Sequence, residues 1–471
     1  MREDIKRRIE QIRRGEVPEG YKNVVDYHII PKDWRIKKLE DLGSLKNGIN
    51  KDKDMFGNGY PLVNLDDVFA SKCISSTSEI STLVFCSEQE RASYSLRNGD
   101  IVFVRSSVKK EGVGLTAYVT EDLSDTVFSG FLIRFRCLSD SLVGSYKVYC
   151  FDSTYFRDQL LKKSTVSANT NINQEQLKIL KIALPSTNEQ EQIAEILSTC
   201  DRVIELKKKL VEEKIEIKKW LMQTLLTGMI RVKDIENATP YEELKKRIEQ
   251  IRSGQVPEGY RKTELGIISH DWEITGLEKI CKLIIDKRGK TPKKDSSDGD
   301  IPGLSAHNVK MGKIDFTFPT TYYSEDVFNR WMKSEKIERE DIIMTTEAPL
   351  GNIALVEEAR KYILGQRVVA LRLKDSVNST FGKHLLMSNV FQRKLQELAT
   401  GTTAKGLSKR NLKYLKIYIP DTETQEAVSS ILSSADKEID LLNKDLEQWE
   451  IKKKSLMQLL LTGIVRVSTE N

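Results

Sequence analysis

The sequence predicts an α+β protein: two domains of mixed β-sheet and short helices, carried on two long antiparallel coiled-coil helices related by a pseudo-twofold axis. Three observations predict it. Most of the framework of the 471-residue chain occurs twice. Each copy ends in some 40 residues without Gly or Pro. The roughly 150 residues inside each copy have β-type texture and little mutual identity.

The duplication is read from four anchors. The segment from Ile5 to Tyr21 matches that from Leu244 to Tyr260 at 13 of 17 positions. Trp34 of "PKDWRIKKLEDL" answers Trp272 of "SHDWEITGLEKI". Pro185 after "ILKIAL" answers Pro420 after "YLKIYI", and Gly228 of "LMQTLLTGMIRV" answers Gly463 of "LMQLLLTGIVRV". Matches in one order at a slowly drifting offset mean a tandem domain duplication, and the period is far too long for a solenoid.

In chain order the expected parts are an N-terminal segment (1–21), a first insert (22–186), a long helix (187–232), a linker repeating the N-terminal segment (233–260), a second insert (261–421) and a second long helix (422–467). Residues 244–260 follow the first helix directly, whereas their counterpart lies at the opposite end of the chain from the second. The frame is therefore circular, and residues 1–21 are expected to dock beside the end of the second helix.

Apolar residues at heptad spacing predict that the helices pair. The seam positions are Leu197, Ile204, Val211 and Leu221 in the first helix, and Leu432, Ile439, Leu442, Leu446, Trp449 and Leu456 in the second. Lys207, Lys214 and Lys218 break the first seam, where they would face solvent or another chain, and Lys453 breaks the second. Ser186 or Asn188 can cap the first helix, and Gly228 and Gly463 stand where a C′ glycine ends each. At 1.5 Å per residue each helix is about 60 Å long.

The inserts contain β-type runs such as "GDIVFVR", "FLIRFRCL", "DIIMTT" and "RVVALRL", separated by polar loops at equivalent places. Lysine and arginine in these loops suit phosphates, and Asn, Gln, Ser, Thr and Arg suit base edges in the major groove. Those of the first insert are Lys46, Asn50, Lys51, Lys53, Arg105, Ser106, Lys109, Lys110, Asn169 and Asn171. Those of the second are Lys287, Arg288, Lys290, Lys293, Lys294, His307, Lys405, Lys409 and Arg410.

Composition excludes several classes. Lys and Arg number 75 against 69 Asp and Glu, a net charge of +6 that permits nucleic-acid binding without arguing for it. Six scattered cysteines, with no C-x-x-C pair, indicate neither zinc nor a disulfide scaffold. No apolar run is long enough to span a membrane and no secretory leader precedes the first repeat, so a cytoplasmic protein is expected. No catalytic motif is legible either. There is no [DN]-P-P-[FY] run and no G-x-G-x-x-G after a strand. In "GTTAKGLSK", Leu407 stands where a phosphate loop needs lysine. His28, His270, His307 and His384 lack metal-ligand spacing, so no metal or catalytic residue is expected.

With "VPEGYRKTELGIISHDWEI", "DKRGKTPKK", "LSAHNVKMGKI", "LPSTNEQEQIAEILS" and "KKWLMQTLLTG" in this order, the whole chain resembles the specificity subunit of a type I restriction–modification enzyme. The resemblance implies a non-catalytic subunit whose two inserts are target-recognition domains, each reading half of a split, asymmetric site in double-stranded DNA. It implies two DNA methyltransferase subunits docked on the helices, carrying S-adenosylmethionine and adenine-N6 methylation. It also implies restriction/translocase subunits that use ATP and Mg2+, with no cofactor on this chain itself. Two other readings of the residues are a coiled-coil scaffold presenting two protein-binding domains, and a fused restriction–methylation enzyme; the missing methyltransferase motif argues against the second.

Overall fold

A computed structural model describes all residues except 1–2, 25–27, 167–168, 294–298, 318, 402–404, 413 and 468–471. The chain divides into two compact units, Met1–Lys208 with Asp445–Asn471, and Lys209–Lys444. Both boundaries fall inside the long helices, so each unit contains an insert and a part of both helices.

In the first unit, Gly43–Asn47, Leu132–Cys137, Ile101–Val104, Thr116–Val119 and Cys73–Ile74 form a five-stranded sheet in that order. All its pairs are antiparallel except the last. The strand Phe56–Val63 lies in a second, three-stranded sheet between Val127–Phe128 and Leu83–Val84. The second unit follows the same plan. Its main sheet runs Cys281–Asp286, Val368–Leu373, Ile342–Thr346, Leu350–Leu355, and Ile301–Leu304 lies between Tyr322–Tyr323 and Ile363–Leu364. In each unit one face of the main sheet is closed by short helices late in the insert, Thr154–Lys163 in the first, Ser379–Met387 and Asn389–Leu398 in the second.

The long helices span Thr187–Leu225 and Thr422–Leu461. Both are shorter at the C-terminal end than the segments the sequence assigns to them, for a local reason. Gly228 (φ +69°) and Gly463 (φ +70°) turn the chain into the left-handed region. The amides of Ile230 and Val465 then donate back to the carbonyls of Thr224 and Leu459, closing each helix end. The first helix is capped by the Ser186 hydroxyl, which accepts from the Glu189 amide. Asn188 lies within the helix.

Each unit's core joins its insert to the ends of both helices. In the first, Phe103, Phe135, Phe151 and Phe156 are buried with Ile193 and Leu197 of one helix and Leu460 and Leu461 of the other. In the second, Val369, Leu371 and Phe381 are buried with Leu225 and Leu226 of one and Val428 and Leu432 of the other.

In both units the helices run antiparallel, and the seam lysines have partners across it. In the first unit Lys207 pairs with Asp445 and Lys453 with Asp201. In the second, Lys214 reaches Glu438 at 2.7 Å and Lys218 pairs with Asp436. These four lysines are half-buried. The expectation that Lys207, Lys214 and Lys218 face solvent or another chain is therefore corrected: each faces a carboxylate on the other helix. The apolar seam residues Leu197, Ile204, Val211 and Leu432 are buried, and Leu221, Ile439, Leu442, Leu446, Trp449 and Leu456 are half-buried. The first helix also carries an outward stripe, with Ile196, Leu206, Leu210, Ile217 and Trp220 all exposed. Hence the apolar doublets of its sequence: in Ile196/Leu197 and Leu210/Val211 the second residue turns inward and the first outward.

The N-terminal segment closes the first unit. The Tyr21 hydroxyl donates to the Gly463 carbonyl at 2.7 Å, and Arg8 donates to Ile464 O at 2.9 Å. In the second unit Tyr260 donates to the Gly228 carbonyl at 2.6 Å. Replacing Tyr21 with Phe strands a buried carbonyl and is expected to cost about 1–2 kcal/mol. Hydrogen exchange over 459–465 will show the loosening as faster exchange; unchanged protection would remove the hydroxyl from the account.

Equivalent seam carboxylates are also gripped by each insert. Tyr149 donates to Asp201 at 2.8 Å, while Lys383 and His384 lie 3.2 and 3.5 Å from Asp436. His384 is fully buried. Burial, reinforced by Lys383 and Lys218 and opposed by Asp436, lowers its pKa to about 3. The unfolded chain takes up this proton near pH 6.5, the native one only near 3. The stabilisation is complete above about pH 6.5 and is lost as pH falls from there towards 3. Between pH 7.5 and 5 the wild type is expected to lose more protection over 379–387 than His384→Gln, and equal slopes would assign the loss to other groups.

Candidate nucleic-acid interface

In the first unit the interface candidates cluster where Ile101–Val104 leaves the sheet. The Arg105 amide donates to the Phe131 carbonyl at 2.8 Å, and its guanidinium donates to Gly130 O at 3.3 Å. Asn50 packs over Gly130 so closely that a Cβ there would lie 1.8 Å from its side-chain oxygen. Ser106 and Ser107 pair with Thr170 and Asn171, which pair in turn with Thr165 and Val166. Ser106, Lys109 and Asn169 thereby come to line one concavity of about 550 Å³. Arg105 and Asn50 stand beside it, and Asn171 donates to the Asn169 carbonyl at 2.9 Å. Lys109 and Lys110 are exposed.

Other first-insert residues are engaged within the fold. Lys46 donates to the Ser93 carbonyl at 3.0 Å and lies 4.4 Å from the Tyr94 ring centre. Burial, with Arg134 and Arg136 nearby, lowers its pKa. Lys51 pairs with Glu90 at 2.7 Å and holds that carboxyl well below its ordinary range. Lys53 is exposed in the turn Lys53–Met55, apart from the concavity lining.

In the second unit Asp286 organises the basic loops. Arg288 grips it through Nε at 2.9 Å and Nη2 at 2.6 Å, and also donates to the Leu407 carbonyl. Lys409 stands 3.7 Å from the same carboxylate. Burial pushes the Asp286 pKa up, but Arg288 and Lys409 outweigh it and the net shift is downward. Lys287 pairs with Glu335 at 2.6 Å. Lys290, Lys293, Lys405 and Arg410 are exposed, and Lys294 lies outside the described residues. His307 is exposed and lines a cleft of about 400 Å³ with Gln366 and Arg367. Thr291 donates to the Gln366 side-chain oxygen at 3.1 Å.

Selecting polar loop residues misses what the fold brings to these surfaces from strand ends. In the first unit Phe69, Val108 and Phe131 are exposed around the concavity; in the second, Gln366 and Arg367 share the cleft with His307. Aligning "SGFLIRF" with "GQRVVAL" was the available signal, because both lead into an interior strand of the main sheet.

Among the described residues no group of His, Cys, Asp and Glu could hold a metal ion, and no helix is long and apolar enough to cross a membrane. Two copies of one α+β domain, with unlike polar surfaces on a shared frame, define a duplicated recognition protein. A family model described as the type I restriction modification DNA specificity domain matches residues 31–216 and 269–450. The chain belongs to this family: it is the non-catalytic DNA specificity subunit of a type I restriction–modification enzyme, whose activities lie in partner subunits.

It is similar to the MjaX specificity subunit of Methanocaldococcus jannaschii, 28% identical over 448 residues, which cover 93% of this chain and 95% of that protein. It is also similar to the MjaVIII type I restriction enzyme specificity subunit of the same organism, 29% identical over 331 residues, covering 69% of this chain and 71% of the relative. A chain from a solved structure on complex assembly and conformational transition of the type I R-M system has the same fold. It matches with a TM-score of 0.54 at 15% identity over 93% of this chain and 99% of that one.

Arg288 and its neighbours differ in expected role. Arg288→Ala leaves Asp286 half-buried without its main partner and is expected to destabilise the second unit by about 3 kcal/mol. The exposed Lys290→Ala should stay within about 0.5 kcal/mol of wild type. Urea denaturation followed by hydrogen exchange in 281–293 will separate them; equal small effects would make Arg288 a surface residue like Lys290.

Proposed function

We propose that each insert reads one block of a split, asymmetric site in double-stranded DNA, and that the long helices fix the unspecified gap between the blocks. One observation carries this reading: the two units repeat one scaffold but present different side chains on equivalent loops. A single scaffold copied and re-lined suits two different base sequences. Exposed Lys109, Lys110, Lys405 and Arg410 would neutralise phosphates, and the amides and hydroxyls beside them would face base edges.

The exposed stripe of Ile196, Leu206, Leu210, Ile217 and Trp220 on the first helix suits partner helices, and two DNA methyltransferase subunits are the partners proposed for the paired helices. In this reading S-adenosylmethionine is bound by those subunits. ATP and Mg2+ are used by restriction/translocase subunits, and this chain carries no cofactor of its own. The target adenine would be flipped into the methyltransferase, leaving this chain to choose where.

The test is selection of bound duplexes from a randomised pool by the chain purified with its methyltransferase subunits. Two short fixed blocks around a constant gap are expected. Inserting a few residues in both helices should change the gap and leave the blocks, while exchanging 22–186 should change one block alone. Lys109→Ala should weaken binding to all sequences alike and lower the salt slope by about one. One continuous motif would overturn the split reading, and no enrichment at any salt would favour a scaffold that binds proteins.

A further inference from the structure

The two inserts can be put in register through their own hydrogen bonds. In the first, Val127 and Phe128 pair in parallel with Leu62 and Val63; in the second, Ile363 and Leu364 pair with Gly303 and Leu304. The next residue donates back across that pair in both, Ser129 to Val63 O at 2.9 Å and Gly365 to Leu304 O at 2.8 Å. Two residues later the chain stands just before an interior strand of the main sheet, Leu132–Cys137 or Val368–Leu373. There the Phe131 carbonyl accepts from the Arg105 amide at 2.8 Å, and the Arg367 carbonyl from the Thr346 amide at 2.9 Å. Phe131 and Arg367 therefore occupy one position of the scaffold. Their backbone is pinned by the sheet, and their side chains are exposed.

The surroundings have been re-lined to match. Phe131 is 57% exposed, an unusual place for a phenylalanine, and it shares its concavity with Leu65, Phe69, Val108 and Leu115. Val108 is 83% exposed. Lys109 and Asn169 also line the concavity, and Glu111 is the one acid among its described lining residues. An apolar surface of this kind marks a contact, and its lysine suits a polyanion. At the residue matching Leu65 the second insert has Ala306, and next to it His307. The cleft beside Arg367 contains no carboxylate among its described lining residues. Among the described residues Glu347 forms an ion pair with Arg367, 4.0 Å from its Nε, but this is too long for a hydrogen bond and leaves the N–H donors of the fork for another acceptor.

We propose that this shared position reads a base in each half-site: Phe131 packs against a thymine methyl, and Arg367 donates its fork to a guanine. Major-groove chemistry offers these two features, a methyl group that only thymine presents and the paired O6 and N7 acceptors that only guanine presents. The inference rests on the reading that both inserts contact duplex DNA, and it names the residues that choose.

The experiment is randomised-pool selection with the full chain assembled with its methyltransferase subunits, as wild type, Phe131→Ser and Arg367→Ala. Arg367→Ala is expected to flatten one G·C position, reducing its preference by roughly tenfold or more, and to leave the other block unchanged. Phe131→Ser should flatten one A·T position in the other block. Deoxyuridine in place of that thymine should weaken wild-type binding about fourfold, the value of one buried methyl group, and should not weaken Phe131→Ser.

A variant that has lost its fold would erase a whole block. Phe131→Leu, which keeps an apolar surface, and Arg367→Lys, which keeps the charge but not the fork, then decide. The proposal requires Leu to retain the deoxyuridine effect and Lys to lose the guanine preference. A split motif left unchanged by all four substitutions would overturn the proposal while leaving DNA reading by the inserts intact. The absence of any split motif in the wild type would overturn both.

Discussion

A helix of about 40 residues with one apolar stripe is stable only when the stripe is covered, and the rest of this structure depends on how that is done. In each unit part of one long helix is covered by an antiparallel part of the other. The seam is not purely apolar: Asp201 meets Lys453 and Asp436 meets Lys218 at equivalent places. Half-exposed ion pairs of this kind add little net stability. Their effect is on register, because sliding one helix by a turn would leave a half-buried lysine facing apolar neighbours. Each carboxylate is also held by its own insert, through Tyr149 in one unit and through Lys383 in the other. Helix register and domain placement are therefore fixed at the two oxygens of one carboxylate within each unit.

This arrangement explains what was legible in the sequence. Local patterns carried the helices and their glycine ends, since each depends on residues close in the chain, and the internal repeat shows when the chain is compared with itself. Partners of the seam lysines were not legible, because Asp201 and Lys453 lie 252 residues apart. The loop candidates divide for the same reason. Lys109 and Lys110 are as exposed as their loop suggested, whereas Lys46, Lys51, Lys287 and Arg288 are engaged by Ser93, Glu90, Glu335 and Asp286. No loop composition announces such a partner. Phe131 escaped because an apolar residue at a strand start reads as core, and only tertiary structure shows that it points outward.

The repeated segment docks at the end of both long helices, with different side chains carrying the contact. Around the end of the first helix, the segment Tyr241–Arg252 follows in the same chain, and Arg247 is locked to Asp234 with Ile248 and Ile251 buried. Around the end of the second helix the matching segment, Glu3–Arg13, is supplied from the chain's other end and contains no buried residue. Tyr21 bonds the Gly463 carbonyl just past the helix, as Tyr260 bonds that of Gly228, and Arg8 adds a bond to Ile464 O. Contacts to main-chain oxygen need no matching side chain, so the same docking serves both copies.

The same economy governs how the inserts attach. Each leaves and rejoins the frame at a two-stranded antiparallel ribbon, Arg35–Lys38 with Lys181–Leu184 and Glu273–Gly276 with Lys416–Ile419. Entry and exit lie side by side, held by main-chain hydrogen bonds that are indifferent to side-chain identity. A fully buried tryptophan packs beneath the first ribbon, where Trp34 donates to Glu189 at 3.0 Å, and Trp272 is buried at the matching place in the second. An insert anchored this way can change its loops, and even the chemistry of its exposed strand ends, without disturbing helix pairing. The frame sets where a domain sits within its unit, and the side chains beyond the ribbon set what it recognises. Separating those two tasks at a backbone junction is what lets one scaffold, present twice in one chain, carry phenylalanine at a position in one copy and arginine at that position in the other.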